Sequence, residues 1–323
     1  MRKALIALLV LVLLAGGGAW WAREQWRAPG PLAQPTAIVI PRGSSSEAIG
    51  TTLVEQGAIR DARIFAAAAW LTRSDGPLRA GEYLFPAGGS LAQVLDVLRT
   101  ARPVQRRLTI PEGLTAKQIT TLISAAPGLT GDTPELDEGS VLPETYSYEY
   151  GDSRASLVRR ASQAMTSTLE QLWKERAEGL PLASAREALV LASIVERETG
   201  QPAERPHVAG VFINRLRRGM PLQSDPTVAY AAADGGLLDR PLSRADLDRD
   251  HPFNTYRVRG LPPGPIASPG EKSLEAVLRP LATDDLYFVA DGTGGHAFAR
   301  TLEEHNRNVA RWRQIERQRA NPQ

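Results

Sequence analysis

Hydrophobic positions are distributed in three different ways along the chain, and each predicts a different kind of element. At the start, an unbroken apolar run from Ala4 to Ala22 follows Met1-Arg2-Lys3 and is closed by Trp20, Trp21, Arg23, Trp26 and Arg27. A bilayer needs about 20 such residues, and tryptophans favour its interface, so residues 4–22 read as one transmembrane anchor. The basic pair marks residues 1–3 as a cytoplasmic stub and puts everything after the span on the outer side of that membrane. A cleaved signal peptide shares the charged start and the Leu-rich run, but no clean small-x-small cleavage site precedes polar sequence here. Ala28-Pro29-Gly30-Pro31-Leu32-Ala33-Gln34-Pro35 then makes residues 23–35 a Pro-rich linker.

Short apolar stretches separated by Gly turns follow, and they repeat. Ile40-Pro41-Arg42-Gly43-Ser44-Ser45-Ser46-Glu47-Ala48-Ile49 aligns with Ile110-Pro111-Glu112-Gly113-Leu114-Thr115-Ala116-Lys117-Gln118-Ile119. Each copy reads as a strand, a Gly turn and a helix, with capping-box spacing between Ser44 and Glu47 and between Thr115 and Gln118. Tyr83, Phe85, Gly88, Ser90 and Val94 match Tyr146, Tyr148, Gly151, Ser153 and Leu157 in spacing. Two βα-βα units are therefore expected, about Pro35 to Arg102 and Pro103 to Met165, the two βα pairs of each making a small sheet with helices on one side. The region 36–165 resembles the LysM type of peptidoglycan-binding domain, and it reads equally as a spacer without a ligand. No residue in it stands out as catalytic.

The remainder, 166–323, has helical periodicity broken by proline-rich loops. A polar helix over about 156–178 gives way near Gly179-Leu180-Pro181 to a helix from Ala185 to Thr199 that turns strongly apolar before Gly200. A helix from Pro202 to about Arg217 stops at Gly219. Loops carrying Pro226, Pro252, Pro262, Pro263, Pro265 and Pro269 lead to a helix from Ser273, a strand at Leu286 to Ala290 and an amphipathic helix from about Thr301. Gly292, Gly294 and Gly295 sit where a hairpin turn would need them. The segregated order of helices and strands predicts an α+β fold class rather than a doubly wound sheet.

Composition narrows the chemistry. The chain has no cysteine, which excludes disulfides, thiolate metal sites and cysteine nucleophiles. Only four of its 38 basic residues are Lys, and the arginines are spread rather than blocked; with a net charge of +2 and no basic-aromatic interleaving, nucleic acid is not expected as a partner. The histidines, His207, His251, His296 and His305, show no metal-ligand spacing, and there is no Gly-x-Ser-x-Gly elbow, P-loop or dinucleotide fingerprint. No cofactor and no metal are expected. Carboxylate chemistry remains.

Glu196 follows Ser193, Ala192 and Leu189 by three, four and seven positions, which puts it on a small, apolar helix face. A carboxyl desolvated in that way favours its neutral form, the state a general acid needs. On pattern alone the plainer reading is favoured, that Glu196 and Glu198 are solvated charges paired with Arg197 or Arg186. Gln223-Ser224-Asp225-Pro226-Thr227 and Phe253-Asn254-Thr255-Tyr256 gather amides, hydroxyls and a tyrosine in loops. Those groups suit sugar recognition and suit turns equally well.

Nearly the whole chain resembles the endolytic murein transglycosylase family, the MltG or YceG-like proteins. The resemblance is carried by Leu191-Ala192-Ser193-Ile194-Val195-Glu196-Arg197-Glu198-Thr199, Val211-Phe212-Ile213-Asn214-Arg215-Leu216, Leu222-Gln223-Ser224-Asp225-Pro226-Thr227 and Asn254-Thr255-Tyr256, in that order. It continues through Gly260-Leu261-Pro262-Pro263-Gly264-Pro265-Ile266-Ala267-Ser268-Pro269-Gly270 and Tyr287-Phe288-Val289-Ala290-Asp291-Gly292, leading to Gly295-His296-Ala297-Phe298. It implies that Glu196 is the catalytic acid/base, reversing the plainer reading, and that Gln223, Ser224, Asn254, Tyr256 and Glu198 are substrate-binding cleft residues.

The implied enzyme is a lytic transglycosylase of the bacterial cytoplasmic (inner) membrane, with its catalytic domain on the periplasmic side. It would cut the MurNAc-GlcNAc bond within nascent peptidoglycan strands and leave a 1,6-anhydro end, terminating elongation beside peptidoglycan synthases. A hydrolytic muramidase, with Asp225 or Glu198 positioning water, and a non-catalytic wall-binding scaffold are the alternatives.

Overall fold

The computed structural model describes residues 2–236 and 238–320. Contacts divide the chain into two compact units. One takes the residues through Arg106 with Gly128–Thr130 and Ser147–Asp152; the other takes Arg107–Pro127, Gly131–Tyr146 and the chain from Ser153 onward. Most of the second repeat copy, expected with the first, thus packs in the unit that holds the C-terminal part.

In the first unit, α1 (Arg2–Arg27) is long and apolar enough to cross a membrane, and none of its described residues is buried. The segment after it is not a loose spacer. The Gly30 N–H bonds the Gly88 carbonyl and the Gly88 N–H bonds that of Leu32, while a side chain at residue 30 would collide with the Gly89 carbonyl.

β1 (Thr36–Ile40), α2 (Ser46–Glu55), α3 (Ala62–Leu71), β2 (Gly81–Phe85) and α4 (Leu91–Thr100) follow. β1 and β2 are antiparallel, with Ile38 opposite Tyr83, and their inner faces join Leu53, Phe65, Val94 and Leu98 in one core. The expected βα-βα order is therefore corrected to β-α-α-β-α. The extra helix, Ala-Arg-Ile-Phe-Ala-Ala-Ala-Ala-Trp-Leu, lacks a clear apolar stripe but is rich in the best helix former and is capped by Asp61, which accepts from the N–H groups of Arg63 and Ile64.

The division between units falls within β3 (Gln105–Thr109) and β4 (Thr145–Glu149), which pair with each other. Each copy thus has its own two-stranded sheet, as expected of two separate units, although the boundary between the packed units cuts across the second. The repeat is nonetheless real in the backbone. Ile40 and Ile110 are both buried, and Gly43 and Gly113 take the same left-handed conformation, φ 79° and 76°. Thr115 and Gln118 form the expected capping box on α5 (Ala116–Ser124), whereas α2 is capped by Ser45 rather than Ser44, whose hydroxyl turns back to the Pro41 carbonyl.

The second unit is built on helices. α6 (Arg154–Lys174), α7 (Ala185–Glu198), α8 (Arg205–Arg217) and α11 (Glu271–Leu278) surround a core of Leu191, Ile194, Val208, Phe212, Leu274 and Val277. α9 (Asp225–Ala232) and α10 (Arg244–Asp248) lie between α8 and α11, in the region read as loops. Pro226 is in the first turn of α9, where its missing N–H costs nothing. β5 (Tyr287–Ala290) and β6 (His296–Ala299) form the expected hairpin around the Gly-rich turn, and α12 (Leu302–Ala320) follows.

Candidate active site

α7 presents Glu196 and Glu198 two positions apart, hence on different sides of the helix, and each enters a different polar network. All the groups of both networks belong to the second unit.

The Glu196 side chain is only 4% exposed. Its Oε1 accepts from Arg205 Nη2 at 2.9 Å and its Oε2 from the Gly270 N–H at 2.9 Å, at the start of α11. The same Arg205 Nη2 donates to Glu112 Oε2 at 3.0 Å. Arg205 opens α8, where a cation opposes the helix dipole, so the two carboxylates offset an otherwise unfavourable position. Burial raises the Glu196 carboxyl above the usual range, and the Glu112 charge adds to this; the Gly270 N–H, the Ser273 hydroxyl and Arg205 pull the other way. Among the described residues, Ser273 Oγ nevertheless finds no hydrogen-bond partner of good geometry, and Arg205 Nε is also buried without one.

Local chain geometry makes this pocket possible. Ser193, one turn before Glu196, donates to the Val190 carbonyl at 2.7 Å and accepts the Ile266 N–H at 3.0 Å, which ties the Pro-rich segment to α7. The segment then exchanges backbone bonds with the repeat turn, Gly113 N–H to Ser268 O and Ser268 N–H to Leu114 O. Gly113 takes a positive φ to make that turn, and a Cβ there would meet Arg197 Cδ and Glu196 Cγ. Gly270 leaves room for the Glu112 carboxylate, which a Cβ at residue 270 would push aside.

In the other network, Glu198 Oε2 accepts from Ser224 Oγ at 2.8 Å. The Ser224 N–H bonds Thr255 Oγ1, which also bonds Thr227 Oγ1. Burial pushes the Glu198 carboxyl up to about 7. Tyr256 OH donates to Asp225 Oδ1 at 2.6 Å, and burial raises that phenol as well. Gln223 is exposed, with φ 50°, a strained value for a residue with a side chain, held by its N–H bond to the Thr255 carbonyl.

The structure thus brings Gln223, Ser224, Glu198 and Tyr256 into one cluster, apart from the Glu196 network. Asn254 lies at its edge and is 1% exposed. Its amide donates to the carbonyls of Leu247 and Arg249 and its oxygen accepts the Tyr256 N–H, so all its polar capacity goes into holding the loop. Ser224 is likewise fully buried.

A cavity of about 860 Å³ opens beside the start of α5, lined among others by Lys117, Glu138, Tyr230, His251 and Phe253. Glu138 accepts the Ala116 N–H and the Tyr230 hydroxyl, and burial raises its carboxyl. Glu196 does not line this cavity, but Ala116 does, and it is three residues, at most about 11 Å of chain, from Gly113, whose carbonyl accepts from Arg197 beside Glu196.

Glu112, Arg205, Gly270 and Ser273 were not legible as site residues. Two signals existed. The second repeat copy has Glu112 where the first has Arg42, and Arg205 stands in a first helical turn, where cations are disfavoured.

The YceG-like family model matches residues 38–311, a span that includes every residue of both networks. The chain belongs to the YceG-like family. Its relatives include the endolytic murein transglycosylase of Bacillus subtilis, 33% identical over 302 residues, covering 84% of this chain and 82% of that protein. The endolytic murein transglycosylase of Streptococcus pneumoniae strain D39 is 33% identical over 324 residues; the match covers 84% of this chain but 57% of that longer protein. Among solved structures, a yceG-like protein of Listeria monocytogenes aligns with a TM-score of 0.53 at 31% identity, covering 85% of this chain and 99% of that one.

Proposed function

We propose that this YceG-like chain is an endolytic murein transglycosylase, an enzyme that cleaves peptidoglycan glycan strands, with Glu196 as its single acid/base. The observation that carries the reading is a carboxyl that is nearly buried, raised above its usual range, and held by a cation and a backbone N–H that suit its ionised form. Such a group is loaded with a proton before reaction and stabilised after giving it up.

In the first half-reaction, Glu196-COOH protonates the oxygen linking MurNAc C1 to GlcNAc, and the C1–O bond breaks to leave an oxocarbenium-like centre. The MurNAc acetamido group can stabilise that centre. In the second, the Glu196 carboxylate removes the proton from the MurNAc 6-hydroxyl, O6 bonds C1, and the carboxyl is regenerated. The charge that appears on Glu196 between the halves faces Arg205 and the start of α11. One carboxyl group suffices, unlike the usual pair in glycosidases.

Gln223 and Tyr256, at the accessible edge of the second cluster, are assigned to the sugar hydroxyl and acetamido groups. Glu198, Ser224 and Asn254 hold them in place from beneath. The cavity beside α5, with the Tyr230 and Phe253 rings in its wall, suits a further stretch of the polymer. Residues 166–323 with the Glu112 turn form the catalytic part. The β-α-α-β run of the first unit supports a LysM-like glycan-binding role, and α1 supports a single-pass anchor that keeps the cut near newly made strands and their synthases.

End-group analysis of fragments released from purified peptidoglycan tests the reaction. Anhydro ends are expected. Reducing ends, heavier by one water, would favour the muramidase with Glu198 or Asp225 as second carboxylate, and binding without release would favour a scaffold.

A further inference from the structure

Two carboxylates meet one guanidinium nitrogen at this site, and the reaction as proposed uses only one of them. Arg205 Nη2 donates to Glu112 Oε2 at 3.0 Å and to Glu196 Oε1 at 2.9 Å. Neither carboxylate engages Arg205 in the two-pronged fork that would fix it, and Arg205 Nε is buried without a partner among the described residues. The cation is therefore shared and can lean either way at small cost. The two carboxyls differ sharply in access to water: the Glu112 side chain is 42% exposed and that of Glu196 is 4% exposed. Charge is cheaper on the wetter group, so when one of the pair holds a proton it is Glu196.

We propose that Glu112 is a positioning residue for the cleavage reaction: as counter-ion of Arg205 it draws that cation away from Glu196 while the acid proton is loaded, and yields it when Glu196 becomes a carboxylate. The inference rests on the reading of Glu196 as acid/base. The chain goes to some length to put Glu112 there. Gly113 turns the backbone in the left-handed conformation directly after it, and Gly270 leaves out the side chain that would collide with its Oε1. In the first repeat copy the matching residue is Arg42, so the turn is reused and only the charge is changed.

The charged groups around Glu196 are few enough to make the electrostatics testable. Arg205 faces it from α8 and Glu112 from the turn before α5. On α7 itself Arg197 donates to the Gly113 carbonyl. On α11 Glu271 is exposed, and Lys272 pairs with Glu275. Removing the Glu112 charge leaves Arg205 with Glu196 alone, favours the Glu196 carboxylate, and makes the acid lose its proton at lower pH.

The test is the pH profile of kcat/KM for glycan-strand cleavage by the full chain in detergent. Glu112→Gln should displace the basic limb downward by about one pH unit, a tenfold loss on that limb, with the rate on the acid side changed by no more than about twofold. Adding Arg205→Gln to that variant should move the limb back up. A limb that does not move, or an equal loss at every pH, overturns the proposal. Should Glu112→Gln fail to fold, Gly270→Ala supplies a second route. Its Cβ pushes the Glu112 carboxylate off Arg205 while keeping all charges and the residue 270 N–H, so the limb should again fall, and an unmoved limb overturns the proposal. Glu196→Gln run alongside separates the two levels: if it still cleaves, the acid/base reading fails and the inference with it, whereas an inactive Glu196→Gln beside an unmoved Glu112→Gln limb refutes the inference alone.

Discussion

Glu198 makes stability depend on pH in a direction opposite to that of an ordinary ion-paired carboxylate, and Glu198→Gln should abolish the effect. Its carboxyl titrates near 7 in the fold against 4.5 for the unperturbed group, chiefly through burial, with the Asp225 charge adding and the Ser224 hydroxyl and Arg215 opposing. Below about pH 4.5 both folded and unfolded chains hold this proton, and the group is neutral to folding. As pH rises from about 4.5 to about 7 the unfolded chain releases the proton first, so stability falls; above that window the loss is complete. At about 1.4 kcal/mol per pH unit the window is worth about 3 kcal/mol. For a unit of roughly 200 residues that is about 6–12 °C in Tm. Gln keeps an acceptor for Ser224 and does not titrate. The assay is thermal unfolding of the full chain in detergent, followed by circular dichroism, for wild type and Glu198→Gln at about pH 5 and about pH 8. Taking the difference between proteins at each pH cancels the other titrating groups. The variant should gain on wild type as pH rises; equal pH slopes would refute the burial argument for Glu198.

Two further perturbations probe the framework. Ser193→Ala removes the acceptor of the buried Ile266 N–H, so it should cost about 1–3 kcal/mol and lower kcat as the Gly270 N–H loses its fixed aim at Glu196; calorimetry and turnover on glycan strands check both, and an unchanged Tm would mean the Pro-rich segment is held by other contacts. Tyr256→Phe frees Asp225 and removes a hydroxyl worth about 1 kcal/mol, so KM should rise about fivefold with kcat little changed, and a loss confined to kcat would place Tyr256 in the chemistry instead.

The parts of this architecture that depend on local rules were legible in the sequence. Gly43 and Gly113 marked the repeat because only a left-handed turn residue fits there, Thr115 and Gln118 announced α5, and the Gly-rich stretch after Asp291 closed the β5-β6 hairpin. What local rules leave open was read less well. The division of the chain into packed units is a tertiary choice, so a boundary that passes through β3 and β4 was not foreseen. α3 hid in an alanine-rich run without periodicity, and α9 behind a proline that starts a helix as readily as it ends one. Glu196 could be placed on an apolar helix face by its spacing, though that pattern alone favoured a solvated charge and only the family resemblance marked it as catalytic. Its partners could not, since Glu112 comes from a turn 84 positions earlier and Gly270 from a loop 74 positions later, and no spacing rule joins them. Asn254 and Ser224 show the converse limit: the residue types that suit a sugar also suit a buried loop, and here their polar atoms are taken up by the protein.

The claim that one carboxyl serves as both acid and base, with no water in the bond-making step, is tested most directly by digesting peptidoglycan in ¹⁸O-labelled water with the full chain and with Glu196→Gln, and weighing the released fragments. The account predicts fragments from wild type that carry anhydro ends and no ¹⁸O at the cut, and no fragments from Glu196→Gln. One ¹⁸O per cut end, or release that survives loss of Glu196, would contradict it.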